Sequence, residues 1–254
     1  MKTLIDLSAH KIIVTGASSG IGKQTAITLS RLGASVILVA RRQEALKEVL
    51  SLLEGNKHAY YVFDLDAIEE IPDLADSIVN THGAVDGLFY AAGIGSNIPF
   101  MQLKPEKVQN VFATNLFAFM EMVRQISKKG RFNQGMSILG VSSIASICGD
   151  PAHAAYSASK AAMDGAVRCL AKEVSAKGIR VNTLVPAMTN THLFEAYKER
   201  YGADSENYKQ LVQRQYLGIA EPQEIANAAA FLLSPAAKFI TGVCLPVDGG
   251  YTAN

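Results

Sequence analysis

Short runs of β-branched and aliphatic residues alternate along the chain with longer stretches whose apolar positions recur every three or four residues. The short runs predict strands over Lys11–Thr15, Ser35–Ala40, Ala59–Phe63, Gly87–Tyr90, Met136–Val141, Ile179–Val185 and Cys244–Val247. The stretches between them predict helices near 21–32, 43–53, 69–80, 105–129, 153–176 and 222–233. Pro105 and Pro222 suit first-turn positions, and Gly33 and Gly130 suit helix stops. Strand and helix in alternation build βαβ units, so the expected fold is α/β: a doubly wound, seven-stranded parallel sheet with helices on both faces.

The alternation lapses once, over 188–219, which is polar and tyrosine-rich where a simple crossover is due. This excursion follows the C-terminal end of a strand and reads either as a substrate lid or as surface helices. With no linker-like stretch and no repeat, 1–254 reads as one domain. A 49% hydrophobic share allows a large core, and a formal charge of +1 favours neither nucleic acid nor an anionic membrane. The one basic cluster, Lys128, Lys129 and Arg131, is short. Cys148, Cys169 and Cys244 are too dispersed for a disulfide framework or a metal site. The absence of a signal-like opening or a long apolar run predicts a soluble, cytoplasmic chain.

The first strand runs straight into TGASSGIG, Thr15 to Gly22, and then into a helix. Gly16, Gly20 and Gly22 allow a tight turn and close approach of backbone to a pyrophosphate, which the exposed N–H groups of Ile21 and its neighbours would stabilise. Ser18 and Ser19 add hydroxyls. A glycine turn between strand and helix can also be a mere connection, but its place after the first strand points to a Rossmann-type nucleotide site. At the end of the second strand, where such sites usually carry an acid for the adenosine ribose, the chain reads Ala40, Arg41, Arg42. Two guanidinium forks would welcome a 2′-phosphate, which predicts NADP (NADPH) over NAD; the alternative is that both arginines begin a solvated helix. Asp64 and Leu65, after the third strand, are placed at the adenine edge, with an ordinary surface turn as the alternative.

Polar residues stand out at three places, two of them inside apolar rows. Tyr156 and Lys160 lie one helical turn apart and extend the stripe Met163, Val167, Leu170, Val174. An ammonium there must find partners, because burying it costs several kcal/mol. Asn115 stands in the stripe Val108, Phe112, Phe119, Met122, Ile126, either as a site residue or as a core amide satisfied by backbone. Ser143 follows the fifth strand at the sheet edge where open α/β folds bind ligands, or merely turns the chain. No G-x-S-x-G motif supports a serine hydrolase.

Taken together, TGASSGIG, the Ala91–Gly93 turn, Asn115, Ser143, YSASK over 156–160, RVNTLVPA around Asn182 and Pro186, and the closing ITG and VDGG resemble the short-chain dehydrogenase/reductase superfamily over nearly the whole chain. The overall pattern is most similar to 3-oxoacyl-(acyl-carrier-protein) reductases. The resemblance implies that Tyr156 donates or accepts the proton and Lys160 lowers its pKa and holds the nicotinamide ribose. It further implies that Ser143 binds the substrate oxygen, Asn115 supports a water-linked proton path, and Ala92, Gly93, Pro186 and Thr191 line the nicotinamide. Tyrosine's pKa near 10 must fall by roughly three units for this role, about 4 kcal/mol in favour of phenolate. Two positions depart from the family: Tyr90-Ala91-Ala92-Gly93 replaces Asn-Asn-Ala-Gly, and Pro186-Ala187 replaces Pro-Gly. The first removes a side-chain bond that braces the central sheet, and the second alters the backbone approach to the nicotinamide.

The implied reaction is hydride transfer between nicotinamide and a carbonyl or alcohol, with a 3-oxoacyl thioester as first candidate substrate and a small ketone or keto-sugar next. Rival readings are a non-catalytic redox sensor on the same fold and an NAD-dependent sugar-nucleotide epimerase. Lys128, Lys129, Arg131 and Lys177 either meet an acyl carrier protein or are solvated surface. A homodimer or homotetramer through the helices near 105–129 and 153–176 is expected, with Phe117, Met120 and Cys169 on their outer faces.

Overall fold

A computed structural model describes residues 5–202 and 205–253. The strands are β1 (Lys11–Thr15), β2 (Ser35–Ala40), β3 (Ala59–Val62), β4 (Val85–Tyr90), β5 (Phe132–Val141), β6 (Arg180–Pro186) and β7 (Cys244–Val247). All pair in parallel in the order β3-β2-β1-β4-β5-β6-β7, so the order reverses between β1 and β4 and opens a crevice at their C-terminal ends.

The helices are α1 (Gly20–Arg31), α2 (Gln43–Ser51), α3 (Ile71–His82), α4 (Pro105–Phe112), α5 (Ala118–Ile126), α6 (Ala154–Val174), α7 (His192–Tyr201), α8 (Glu206–Gln213) and α9 (Pro222–Leu233). Pro105 and Pro222 open α4 and α9 as expected, and Gly33, at φ +90°, follows the end of α1.

Alternate residues of each strand feed opposite cores, as the period of two requires. In β1, Ile12 and Val14 pack with α1, α2 and α9, whereas Ile13 packs with α3, α5 and α6. Fully burying each such side chain contributes roughly 1.5–3 kcal/mol. A third, smaller cluster of Ile144, Val185 and Tyr251 lies by the C-terminal ends of β5 and β6.

The structure departs from expectation in two elements that bear on the site. The helix expected over 105–129 is broken: one turn of π-helix, Ala113–Phe117, separates α4 from α5, and the chain turns at Ser127. An apolar stripe that keeps its spacing hides the extra residue, because one wide turn shifts the register without changing hydrophobicity. The excursion over 188–219 contains α7 and α8, and its ends are joined by a bridge between Thr189 and Ala220. Phe194 stacks on Tyr208 with ring centroids 6.0 Å apart, so these two aromatics pack against each other, while Tyr216 is exposed. The side chains of Tyr197 and Tyr201 lie outside the described residues.

Candidate active site

At the end of β1 the chain cannot turn with side chains in place. Gly16 has φ +62°, and a Cβ there would lie 2.8 Å from the Ala91 backbone. A Cβ on Gly22 would meet the Gly16 oxygen at 2.3 Å. Gly20, at φ +52°, lies against Thr191, whose Cγ2 would be 3.2 Å from a Cβ. Ser19 precedes α1 in extended conformation with no side-chain cap, and the first turn of α1 carries no acid. The opening N–H groups of the helix, Ile21 included, are therefore presented to an anion. This cradle fits a dinucleotide pyrophosphate.

Beside it, Arg42 donates to the Ser18 hydroxyl at 3.2 Å and reaches the Ser18 carbonyl at 3.4 Å. Arg41 lies 3.8 Å from the Asp64 carboxylate, both largely exposed. Two guanidinium groups thus stand at the ends of β2 and the glycine turn, where the sequence places the ribose phosphate. Leu65 is a partial correction: its side chain is 5% exposed and belongs to the core with Val39 and Ile71, so only its backbone is left for the adenine edge.

The polar intruders converge. Lys160 is buried on α6, and its Nζ donates to the Val141 carbonyl at the end of β5 at 2.7 Å. The same Nζ lies 5.8 Å from the Tyr156 ring centroid. The Ser143 hydroxyl lies on the side of the Tyr156 phenol, where it favours the phenolate. The Ser143 Oγ also accepts from the Ala145 N–H at 3.1 Å, which fixes it at the start of a short turn. Gly93 completes the group: a Cβ there would sit 3.2 Å from Asn115 Oδ1 and 3.3 Å from Lys160 Nζ.

Asn115, wholly buried in the π-turn, uses its amide fully. Oδ1 accepts from the Ile94 N–H at 2.8 Å, while Nδ2 donates to the Ile94 carbonyl at 3.1 Å and the Ser159 hydroxyl at 2.9 Å. Ser159 in turn donates to the Tyr156 carbonyl at 2.7 Å. Asn115 is therefore satisfied largely by backbone, as the core reading expected, yet it joins the loop after β4 to the turn carrying Tyr156.

The missing asparagine of the glycine-bearing turn has a substitute. The buried Tyr90 hydroxyl donates to the Thr114 carbonyl at 2.6 Å, tying β4 to the π-turn, and its ring meets Phe119 edge-on at 5.4 Å. The Ala92 N–H donates to Thr15 Oγ1 at 3.2 Å, bracing β4 on β1. At the other departure, Ala187 packs by the cluster of Ile144, Val185 and Tyr251, one residue after Pro186 ends β6.

Burial dominates the electrostatics of the two titrating groups. Burial raises the Tyr156 pKa above its ordinary value, and the Ser143 hydroxyl opposes this; the protein around the phenol does not by itself bring it toward neutrality. Burial lowers Lys160 to about 8, opposed by the Asp164 carboxylate. Asp164, buried one turn beyond Lys160 and hydrogen-bonded by Thr183 Oγ1 at 2.8 Å, escaped the sequence reading. Its four-residue spacing from a buried lysine was the available signal.

A glycine cradle at the crevice, with a tyrosine, lysine, serine and asparagine gathered at its far end, defines a nicotinamide-dependent oxidoreductase. The chain belongs to the short-chain dehydrogenase/reductase family: that group's model described as enoyl-(acyl carrier protein) reductase matches residues 16–252. It is 34% identical over 256 residues to an L-xylulose reductase of Caenorhabditis elegans, covering 98% of each chain. It is likewise 34% identical to a 3-oxoacyl-(acyl-carrier-protein) reductase of Rickettsia felis, over 97% of this chain and 98% of that one. A structure of a putative NAD(P)-dependent gluconate 5-dehydrogenase from Beutenbergia cavernae with bound NADP superposes with TM-score 0.88 at 31% identity, over 98% and 99% of the two chains. Among the described residues, no helix is long and apolar enough to cross a membrane, and no group of His, Cys, Asp and Glu could hold a metal ion.

Proposed function

We propose that the chain is an NADP-dependent carbonyl reductase or alcohol dehydrogenase in which Tyr156 exchanges the proton with the substrate oxygen. The observation that carries this reading is the meeting of Lys160, Asn115 and Gly93 beside the Tyr156 ring, with the Ala145-anchored Ser143 hydroxyl at the start of the adjoining turn. Gly16, Ser18, Ser19, Gly20, Ile21 and Gly22 would hold the pyrophosphate, Arg41 and Arg42 the 2′-phosphate, and Ala92, Gly93, Lys160, Pro186 and Thr191 the nicotinamide riboside. The bound cofactor supplies the hydride and, when oxidised, a positive charge beside the phenol. Ser143 would donate to the substrate oxygen as charge gathers there, and Tyr156 would deliver its proton in the reductive direction. The Lys160 ammonium would favour the resulting phenolate. Asn115 would keep the loop bearing Gly93 and the turn bearing Tyr156 in register.

The first candidate substrate is a 3-oxoacyl thioester, supported by the Rickettsia relative, with keto-sugars next on the strength of the L-xylulose reductase. An acyl carrier would compete for cations already engaged: Lys128 with Gln125, Arg131 with Asp76, and Lys177 with the Ser127 carbonyl. The segment 188–219 is read as the substrate lid. Phe117 and Met120, half-exposed beside Leu170 in a groove between α5 and α6, fit a contact between copies. Oxidation of NADPH measured across acetoacetyl thioesters, small ketones, quinones and keto-sugars tests the reading; no turnover with any carbonyl, or preference for NADH, defeats it.

A further inference from the structure

We infer that Asp164 is a positioning residue for the proposed reaction, a buried anion that keeps Lys160 cationic in the apolar interior. The inference rests on the functional reading of Lys160 given above. Both residues lie on the sheet-facing side of α6, four positions apart, where side chains are neighbours. Lys160 is 4% exposed and Asp164 6%, so water screens neither. Lys160 spends a proton on the Val141 carbonyl, a neutral acceptor that leaves its charge uncompensated.

Thr183 of β6 donates to Asp164 Oδ1 at 2.8 Å, joining α6 to the sheet, while the acid's place beside Lys160 is set by the α6 backbone. The groups packed around the pair are mostly neutral. Ser142, just after β5, donates to the Lys160 carbonyl at 3.4 Å, Asn115 of the π-turn flanks the ammonium, and Tyr156 lies on α6 itself. Beyond Asp164, the Cys244 thiol of β7 is 4.0 Å from the Asp164 carbonyl, is pushed up by burial, and receives the Arg168 guanidinium at 3.6 Å. Arg168 is a further charge on α6 near the acid, and it is directed to the thiol. Desolvation depresses Lys160 to about 8, and Asp164 opposes that fall.

A purely structural role, anchoring α6 on β6 through Thr183, predicts a different outcome, and the two separate by experiment. In the full-length protein carrying isotope-labelled lysine, the Lys160 titration is followed by NMR, with its signal assigned by loss in Lys160→Met. Asp164→Asn keeps an oxygen for Thr183 but removes the charge. It is expected to lower the Lys160 midpoint by about one pH unit and to move the alkaline limb of kcat/KM the same way. Thr183→Val removes the tether and keeps the charge, and Asp164→Glu keeps the charge on a longer arm; each should leave the midpoint in place. An unmoved midpoint in Asp164→Asn, or an equal shift in Thr183→Val, overturns the inference. Because the NMR midpoint needs no turnover, a chain without reductase activity would defeat the functional reading while leaving this measurement decisive.

Discussion

The Lys160 ammonium donates to the Val141 carbonyl at 2.7 Å, fixing α6 to the last residue of β5 at the edge of the crevice. That bond orients the cation without neutralising it. The cost of the buried charge appears in the lysine's titration, lowered from 10.5 to about 8.

Lysine's charge therefore opposes folding. Below about 8 the ammonium is protonated in both folded and unfolded chains, so the full burial cost is present. As pH rises toward 10.5 the folded chain sheds its proton first, and stability attributable to this group increases. Lys160→Met is expected to stabilise the protein near neutral pH by up to roughly 3 kcal/mol, less whatever the unpaired Val141 carbonyl costs, while turnover is lost. The gain should vanish above the unfolded lysine's pKa. Thermal melts across that range check it.

Tyr156→Phe removes only the phenolic oxygen. NADPH affinity, read by fluorescence titration, should stay within about twofold, and kcat should fall by at least about a thousandfold. Retained turnover would remove the tyrosine from the mechanism.

Gly93→Ala would press a methyl to 3.2 Å from Asn115 Oδ1 and 3.3 Å from Lys160 Nζ. Both polar heads must yield by a few tenths of an ångström in a site where small misplacements are costly. The expected loss in kcat is on the order of tenfold to a hundredfold with melting temperature little changed. A wild-type kcat would show that these contacts do not matter to the reaction.

Arg41→Ala with Arg42→Ala removes both forks near Ser18 and Asp64. KM for NADPH is expected to rise by on the order of a hundredfold, and KM for NADH to change little or fall. Steady-state assays with both cofactors decide it, and equal effects on the two would deny a 2′-phosphate site.

Tyr90→Phe keeps the ring against Phe119 and strips the bond to the Thr114 carbonyl. Because the Thr114 carbonyl keeps its place in the helical ladder, losing this buried bond should cost about 0.5–1.5 kcal/mol in denaturant unfolding. Because Thr114 precedes Asn115 in the π-turn, kcat should drop as well, by a smaller factor than in Gly93→Ala.

Local pattern by itself determined the seven strands, the order of helices between them and the glycine turn, because hydrophobic period and glycine's freedom act over a few residues. It also named Tyr156, Lys160 and Asn115, since a polar group in an apolar row is visible without coordinates, and Ser143, from its place after the fifth strand. Only the tertiary structure decided what those groups touch. The π-turn that carries Asn115 leaves no mark in the stripe, and Leu65 turned inward because its pocket is made by α3 and β2, far away in sequence. Tyr90 could not be read as the substitute brace, nor Thr183 as the partner of Asp164, because each bond joins a strand to a helix that meets it only when the helix packs on the sheet. Protonation follows the same division: residue type sets the ordinary pKa, but the burial that raises Tyr156 and lowers Lys160 exists only once the chain has closed around them.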